Sequence, residues 1–569
     1  MALNGKNKGN KRTEKNRKEQ LIRMKMKTNL QEIAYFGFFG ILLIAKGIGL
    51  YEGMPLFNIC LVLAVLFLGC KLLLTDYTLK EWGIIVLFTL ISFLAYRTTG
   101  EKAVIITVLT ILGMKNIPVK RLLQFAFVIW TVTFYGMFLF HIADVTDACI
   151  LAHNKFGLGF LLRYSMGFPH PNVFHISYFI WMALLLYLFP MKKRKLFVAS
   201  CLLFGMNLFV FLYSVSITGF ALVTVYLAFN LYLSAREKLN MPERILIQCV
   251  YPGCVLVSII PPLFFKGKLF DLLNKVLNTR MNIWNYYLTN FKPALFGTRV
   301  WSPEGATFSM DCSYLYLLYY YGIILFLCIS ALFVYTIWRF TKENKKAELA
   351  IIIGMLIAGI TEPYLFNLSF KNLILVFAGN LLYVTLSEWE KMKCSDVKQN
   401  GREPDGTYRW LNRKLKFSLW GQKEVTLAAI DTEKWQMHKK AFFTKLREMK
   451  KWLVLTGILA AGIGLSIGIT CIKVPQKIYV YTDHCDYVKG DGETFQKVQQ
   501  EDGAVIYGMR SEELNYYGFD GNMLLLERVR GILSITVGVP FLLEFLFCII
   551  LWYTNRIKPD SGDVRCRKS

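Results

Sequence analysis

Fourteen times along this chain of 569 residues, a run of mostly apolar residues reaches or approaches the length needed to cross a lipid bilayer. About 20 such residues in a helix span the hydrocarbon layer, which is roughly 30 Å thick. Lipid offers no partner to backbone N–H and C=O groups, so a single run satisfies them only by coiling into a helix. The runs fall at 32–50, 55–73, 82–97, 102–114, 121–141, 173–190, 196–213, 218–235, 244–264, 312–337, 347–364, 370–387, 452–472 and 532–553. A chain that is 55% hydrophobic and only 18% charged has the composition of a polytopic membrane protein and not of a soluble enzyme.

The formal net charge of +27 would suit nucleic acid if it formed one surface. It is instead divided into short clusters between the apolar runs, which points to a lipid bilayer as partner and to no nucleic acid. The first 28 residues hold ten Lys/Arg against Glu14 and Glu19, with no cleavage site, and read as a disordered cytoplasmic tail. With that tail inside, alternate connections fall on the cytoplasmic side. They carry Lys115/Lys120/Arg121, Lys192–Lys195, Arg236/Lys238/Arg244 and Arg339/Lys342/Lys345/Lys346, as the excess of cations on inner loops requires. Thirteen cysteines at no regular spacing read as small buried hydrophobes and not as a metal or disulfide framework.

The expected fold class is an all-α polytopic membrane protein with about 12 core helices and an appended two-helix unit. The divisions are a basic cytoplasmic tail (1–30), a membrane core (31–390), a basic cytoplasmic linker (391–451), the two-helix unit (452–553) and a cytoplasmic tail (554–569). Between the last two helices lies a small extracytoplasmic domain, 474–531, whose alternating KIYVY (477–481) and GAVIY (503–507) predict strands. Few charges lie at mid-membrane. Lys46 and Lys71 are near enough to helix ends to snorkel, and Glu544 belongs to the appended pair. A site at the outer rim is therefore favoured over a path through the bilayer.

Three polar stretches meet on that outer side: RYSMGFPHPN (163–172), the connection 266–311, and TEPYLFNLSFK (361–371). Each candidate residue has two readings. Arg280 and Trp284 are four apart and share a helix face, suited either to a diphosphate and a sugar ring or to lipid headgroups. Asp311 opens DCSYLYLLYYYG and serves as a helix cap or as a general base; Tyr314 follows on the same mouth. His170 is fixed between Pro169 and Pro171, either as a proton acceptor or as a hydrogen-bonded turn residue. Arg163 and Arg299 are external cations that suit phosphate or headgroups, and Glu362 is a rim carboxylate.

In combination, GFPHPN after a long external loop, then NTRMNIW, then DCSYLYLLYYYG resemble the O-antigen ligase and polysaccharide polymerase (Wzy) superfamily, most of all the capsule repeat-unit polymerases of Gram-positive bacteria. The resemblance covers residues 30–390 and implies a GT-C-like helical fold with inverting, metal-independent glycosyl transfer outside the cytoplasmic membrane. It implies no cofactor beyond the undecaprenyl diphosphate that carries the substrate, a lipid-linked oligosaccharide, and it suggests a flippase and a chain-length regulator as partners. The family's R-x-x-x-W element falls on Arg280 and Trp284, with the arginine holding diphosphate. Its H-P-N element falls on His170, Pro171 and Asn172, and its D-x-x-Y-L element on Asp311, Tyr314 and Leu315. Ligases of the superfamily carry a histidine where this chain has Asp311-Cys312-Ser313, so the resemblance favours a polymerase and leaves the base open between Asp311 and His170. A ligase and a non-enzymatic lipid-linked sugar flippase are the alternative functions.

Overall fold

The computed structural model describes residues 25–142, 150–154, 160–277, 279–303, 309–399, 414–415, 424–429, 441–472, 477–482, 494–501, 504–508, 515–518 and 521–557. It is mostly helical. Among the described residues, ten helices are long and apolar enough to cross a membrane: Leu30–Gly47 (α1), Pro55–Leu73 (α2), Leu79–Thr99 (α3), Val119–Phe140 of α5 (Val119–Ile142), Pro171–Leu188 (α6), Lys193–Ser214 (α7), Ile217–Ala235 (α8), Gly322–Lys342 (α14), Lys450–Cys471 (α17) and Leu525–Leu551 of α18 (Gly521–Ile557). The run 244–264 becomes two helices, Met241–Gln248 (α9) and Val250–Phe264 (α10), bent by 46°, which make an eleventh span if counted together.

The remaining expected spans are shorter or different. Ala103–Leu112 (α4) has 10 residues and Lys346–Ala358 (α15) has 13. Helix Ile374–Gln399 (α16) has 26 residues, but its later turns are charged. The expected helix 312–337 is also corrected. A short helix, Ser313–Tyr320 (α13), stops before Gly322, whose φ of +79° breaks the chain direction ahead of α14. A Cβ on Gly322 would collide with Gly297 N and the Leu295 carbonyl, so only glycine lets the stretch after residue 290 lie against this break. That stretch is fastened by Thr298 N–H to Tyr319 O at 2.7 Å and Ile323 N–H to Ala294 O at 3.0 Å.

Strand pairings divide the connections between two faces of the bundle. Lys25–Asn29 (β1), expected to be disordered, pairs with Glu424–Ala429 (β6), and Tyr77–Thr78 (β2) pairs with Lys414–Leu415 (β5), all antiparallel. The N-terminal stretch, the α2–α3 turn and the basic linker thus share one face. Strands Ile150–Asn154 (β3) and Phe160–Tyr164 (β4) form a hairpin joined through β3 to Thr494–Glu501 (β8). With Lys477–Thr482 (β7), Ala504–Gly508 (β9) and Asn515–Gly518 (β10) they complete a six-stranded sheet in the order β10-β7-β9-β8-β3-β4. The strands expected at 477–481 and 503–507 are therefore present as β7 and β9, each shifted at its ends. Side-by-side packing of α17 and α18 relies on small residues. Gly464 leaves room for the Ile535 carbonyl, and Gly457 for the Glu544 carboxyl.

One buried lysine differs from its expected role. Lys71 does not snorkel; it is fully enclosed, donating to Thr75 Oγ1 at 2.6 Å and to the Lys115 carbonyl at 2.9 Å. Lys115 in turn donates to the Asp76 carbonyl at 2.9 Å and pairs with Glu81, whose carboxylate completes a capping box with Thr78 at the start of α3. Lys46, at the end of α1, reaches the Leu50 carbonyl at 3.2 Å and lies 3.9 Å from the centre of the Phe57 ring.

Candidate functional site

At the face bearing the β3–β4 hairpin, after the helix Gly267–Val276 (α11), the helix Arg280–Asn290 (α12) starts from Thr279 with φ +67°. This sharp entry directs Arg280, at the first position, back across the connection that follows α15. Its Nε donates to the Thr361 carbonyl at 3.1 Å and lies 2.6 Å from Asp311 Oδ2 in an ion pair, NH1 reaches Leu277 O at 3.3 Å, and NH2 lies 3.6 Å from Glu362 Oε1. One turn on, the enclosed Trp284 donates from Nε1 to the other Asp311 oxygen, Oδ1, at 3.2 Å. The four-residue spacing therefore brings guanidinium and indole onto one carboxylate.

Ser313 fixes Asp311 relative to Glu362. Its N–H donates to Gly359 O at 2.8 Å, its hydroxyl donates to the Glu362 carbonyl at 2.5 Å, and the same oxygen accepts from Leu365 N at 3.3 Å. Glu362 lies beyond the end of α15, next to the short 3-10 helix Pro363–Leu365, and not inside a span.

The network continues through RYSMGFPHPN. Asn172 Nδ2 donates to Glu362 Oε1 at 2.9 Å, and Asn172 Oδ1 accepts from Arg163 NH2 at 2.6 Å. Arg163, 3% exposed, also donates from Nε to the Ser214 carbonyl at 2.8 Å. Arg163, Asn172, Glu362, Arg280, Asp311 and Trp284 thus form one continuous chain of hydrogen bonds and ion pairs. Three stretches distant in sequence, 163–172, 266–311 and 361–371, contribute to it.

The other candidates take different places. His170 is the N-cap of α6, where its Nδ1 accepts from Asn172 N at 3.0 Å, so its ring orients the residue that bridges Arg163 to Glu362. Tyr314 is buried in the bundle, its hydroxyl bonded to the Leu356 carbonyl at 2.5 Å and its ring packed edge-on to Tyr251, away from the rim. Arg299 is exposed and shares none of the contacts of this chain.

Two contributors were not among the residues expected. The turn between α7 and α8, SVSIT (214–218), passes through Val215 at φ +43° and places Thr218 Oγ1 3.4 Å from Glu362 Oε1. Beneath it, the enclosed His175 holds Ser214 Oγ at 3.0 Å and Asn207 Oδ1 at 2.7 Å with its two ring nitrogens. The sequence signal was a run of hydroxyls between two apolar spans. Among the described residues, no group of three or more His, Cys, Asp or Glu stands together.

Two arginines and two carboxylates leave the cluster formally neutral. Burial holds the Asp311 carboxyl above the ordinary carboxylate range, with Arg280 opposing it. Burial raises Glu362 likewise, against Arg280 and with help from the Asp311 charge. The side chains of Arg280, Asp311 and Glu362 keep 10%, 21% and 13% of their surface exposed, so the cluster is mostly covered and meets the outside chiefly at Asp311. An arrangement of this kind can exchange an internal carboxylate for a phosphate oxygen and leave the displaced carboxylate free to take a proton.

Compared with family models, curated proteins and solved structures, the chain matches none. Fold and cluster define its class, a multi-pass helical membrane protein with a buried Arg–carboxylate network at one face.

Proposed function

We propose that the protein polymerises lipid-linked oligosaccharide repeat units on the outer face of the cytoplasmic membrane, with both termini on the inner face. The observation that carries this reading is the pairing of Arg280 with Asp311 and Glu362 at a rim where each keeps part of its surface exposed. The sidedness follows the cations: Lys192–Lys195 and Arg236/Lys238/Arg244 lie at the ends of helices opposite the cluster, the side expected to be cytoplasmic.

In the reaction, the diphosphate of the donor takes Arg280, first at NH2, where the present partner is the most distant. A second anion beside the carboxylates raises their proton affinity further. Asp311 then accepts the proton from the acceptor hydroxyl as that oxygen bonds to the anomeric carbon. The bond from that carbon to the diphosphate oxygen breaks, and the lipid diphosphate leaves with the electron pair. Fixed guanidinium groups neutralise the leaving charge without a metal. The enclosed Trp284 holds Asp311 in place from below, the amide of Asn172 is offered to the sugar, and strands β7–β10 belong to the same, outer, side.

The test uses membranes containing the protein and lipid-linked oligosaccharides extracted from the cell that makes it. Products with a ladder at repeat-unit intervals, together with released undecaprenyl diphosphate, support the reading. Carrier release without a ladder indicates a ligase. Intact carrier with folded protein refutes glycosyl transfer and favours the flippase.

A further inference from the structure

We infer that Arg530, in the appended two-helix unit, is a positioning residue that holds Arg163 in the rim cluster. This rests on the reading of that cluster as the transfer site. It makes the C-terminal unit a working part of the site.

Arg530 is 2% exposed and lies near the start of α18, more than three hundred residues from the two carbonyls it reaches. Its Nε donates to the Leu212 carbonyl at 2.7 Å and its NH2 to the Leu162 carbonyl at 2.8 Å, while NH1 pairs with Glu527. Tyr213 donates its hydroxyl to Arg530 O at 3.0 Å, and Tyr164 donates to Glu527 Oε2 at 3.0 Å. The guanidinium lies 5.1 Å from the Tyr164 ring centre and 6.0 Å from that of Tyr213. Two consecutive triplets are therefore fastened together. Residues 162 and 164 of β4 and 212 and 213 of α7 are gripped by α18, while Arg163, between the first two, and Ser214, next after the second two, are joined to each other at 2.8 Å.

The alternation matters because neighbouring residues of a strand project to opposite sides. Arg530 holds the backbone from one side, and Arg163 is sent to the other, into Asn172 and Glu362. The same hairpin is held at its other strand by β8, through the register Ile150↔Phe495 and Leu151↔Thr494. The C-terminal unit thus grips the β3–β4 hairpin at both strands. A buried guanidinium with two backbone carbonyls and one carboxylate is costly to disturb, since loss of the charge strands its partners. Precise placement is what an orienting group supplies to a reaction; an error of about 1 Å costs up to roughly 100-fold in rate.

The experiment compares wild type with Arg530→Ala, and with Tyr213→Phe, which loosens the same junction without removing a buried charge, in the full chain reconstituted in nanodiscs. Hydrogen exchange at residues 160–166 and turnover of lipid-linked oligosaccharide are both measured. Faster exchange there, with residues 171–188 unchanged, and a turnover loss of roughly 10- to 100-fold in Arg530→Ala are expected. The Arg163→Ala/Arg530→Ala double variant is expected to be no slower than Arg163→Ala alone, because both changes remove the same contribution. Unchanged exchange in both variants, or losses that multiply in the double variant, would overturn the inference. If wild type has no turnover but the exchange response is present, the polymerase reading fails while the grip on β4 stands.

Discussion

Two buried polar networks occupy the two faces of the bundle, and they are built differently. At the face of β1 and β2, Lys71 and Lys115 spend their protons on backbone carbonyls, a threonine and one carboxylate, Glu81, which is itself held in a capping box. Here the carboxylate is the covered member, Glu81 at 7% exposed, with Lys71 wholly enclosed and Lys115 at 15%. At the other face, Arg280 and Arg163 are bridged by two carboxylates and an amide, and Asp311 keeps 21% of its surface. The first network sets two lysines around one carboxylate that is itself locked in a capping box, and works as a staple. The second has exchangeable partners within reach of solvent. Burial of charge alone does not mark a site; the accessibility of exchangeable partners does.

The largest effect is expected for Arg280→Ala. Removing the cation leaves Asp311 and Glu362 uncompensated, a cost of about 3 to 5 kcal/mol for a buried pair, and takes away the neutralisation of the leaving group. Turnover should fall by at least about 100-fold, as for loss of one transition-state donor. Gel analysis of products alongside thermal unfolding separates the two effects.

Next comes Asp311→Asn, which keeps the shape and removes the base. A loss of roughly 100-fold or more is expected, with lipid-diphosphate binding retained. The pH dependence supplies the sign. A base must be deprotonated to act, and burial raises the Asp311 carboxyl above its ordinary range. Turnover should therefore rise with pH through a limb displaced above the usual carboxylate value, and that limb should be absent from the residual activity of Asp311→Asn.

Lys71→Met tests the staple. It should lower stability by about 1 to 3 kcal/mol, the cost of leaving buried polar partners unmade, while turnover per folded molecule stays unchanged. A selective loss of turnover in this variant would erase the contrast between the two faces. The smallest effect belongs to Arg299→Ala. It is exposed and outside the cluster, so turnover should change by less than about threefold, within the range of ordinary surface substitutions.

Apolar length carried the helices because hydropathy acts locally, and nine of the runs are long helices near their expected places. The failures are where a single glycine or a distant partner decides. Gly322 breaks a run that reads as uninterrupted, because the space it needs is set by Leu295 and Gly297. The pairing of β1 with β6 joins residues almost four hundred apart, and nothing in KMKTN announces it. Lys71 looked like a helix-end lysine because its partners, Thr75 and the Lys115 carbonyl, are brought to it by packing. In the cluster, residue types and spacing pointed to Arg280, Trp284, Asp311 and Glu362. Their wiring, and the parts played by Ser313, Ser214 and Thr218, depend on tertiary contacts that no motif encodes.

The most direct measurement is of lipid-linked oligosaccharide turned over by membranes containing wild type or Asp311→Asn, with released undecaprenyl diphosphate and product length read together. If the rim cluster performs glycosyl transfer, wild type gives a repeat-unit ladder with matching carrier release, and Asp311→Asn loses both while remaining folded. Equal ladders from the two proteins would contradict the assignment of the base, and intact carrier from folded wild type would contradict the proposed function itself.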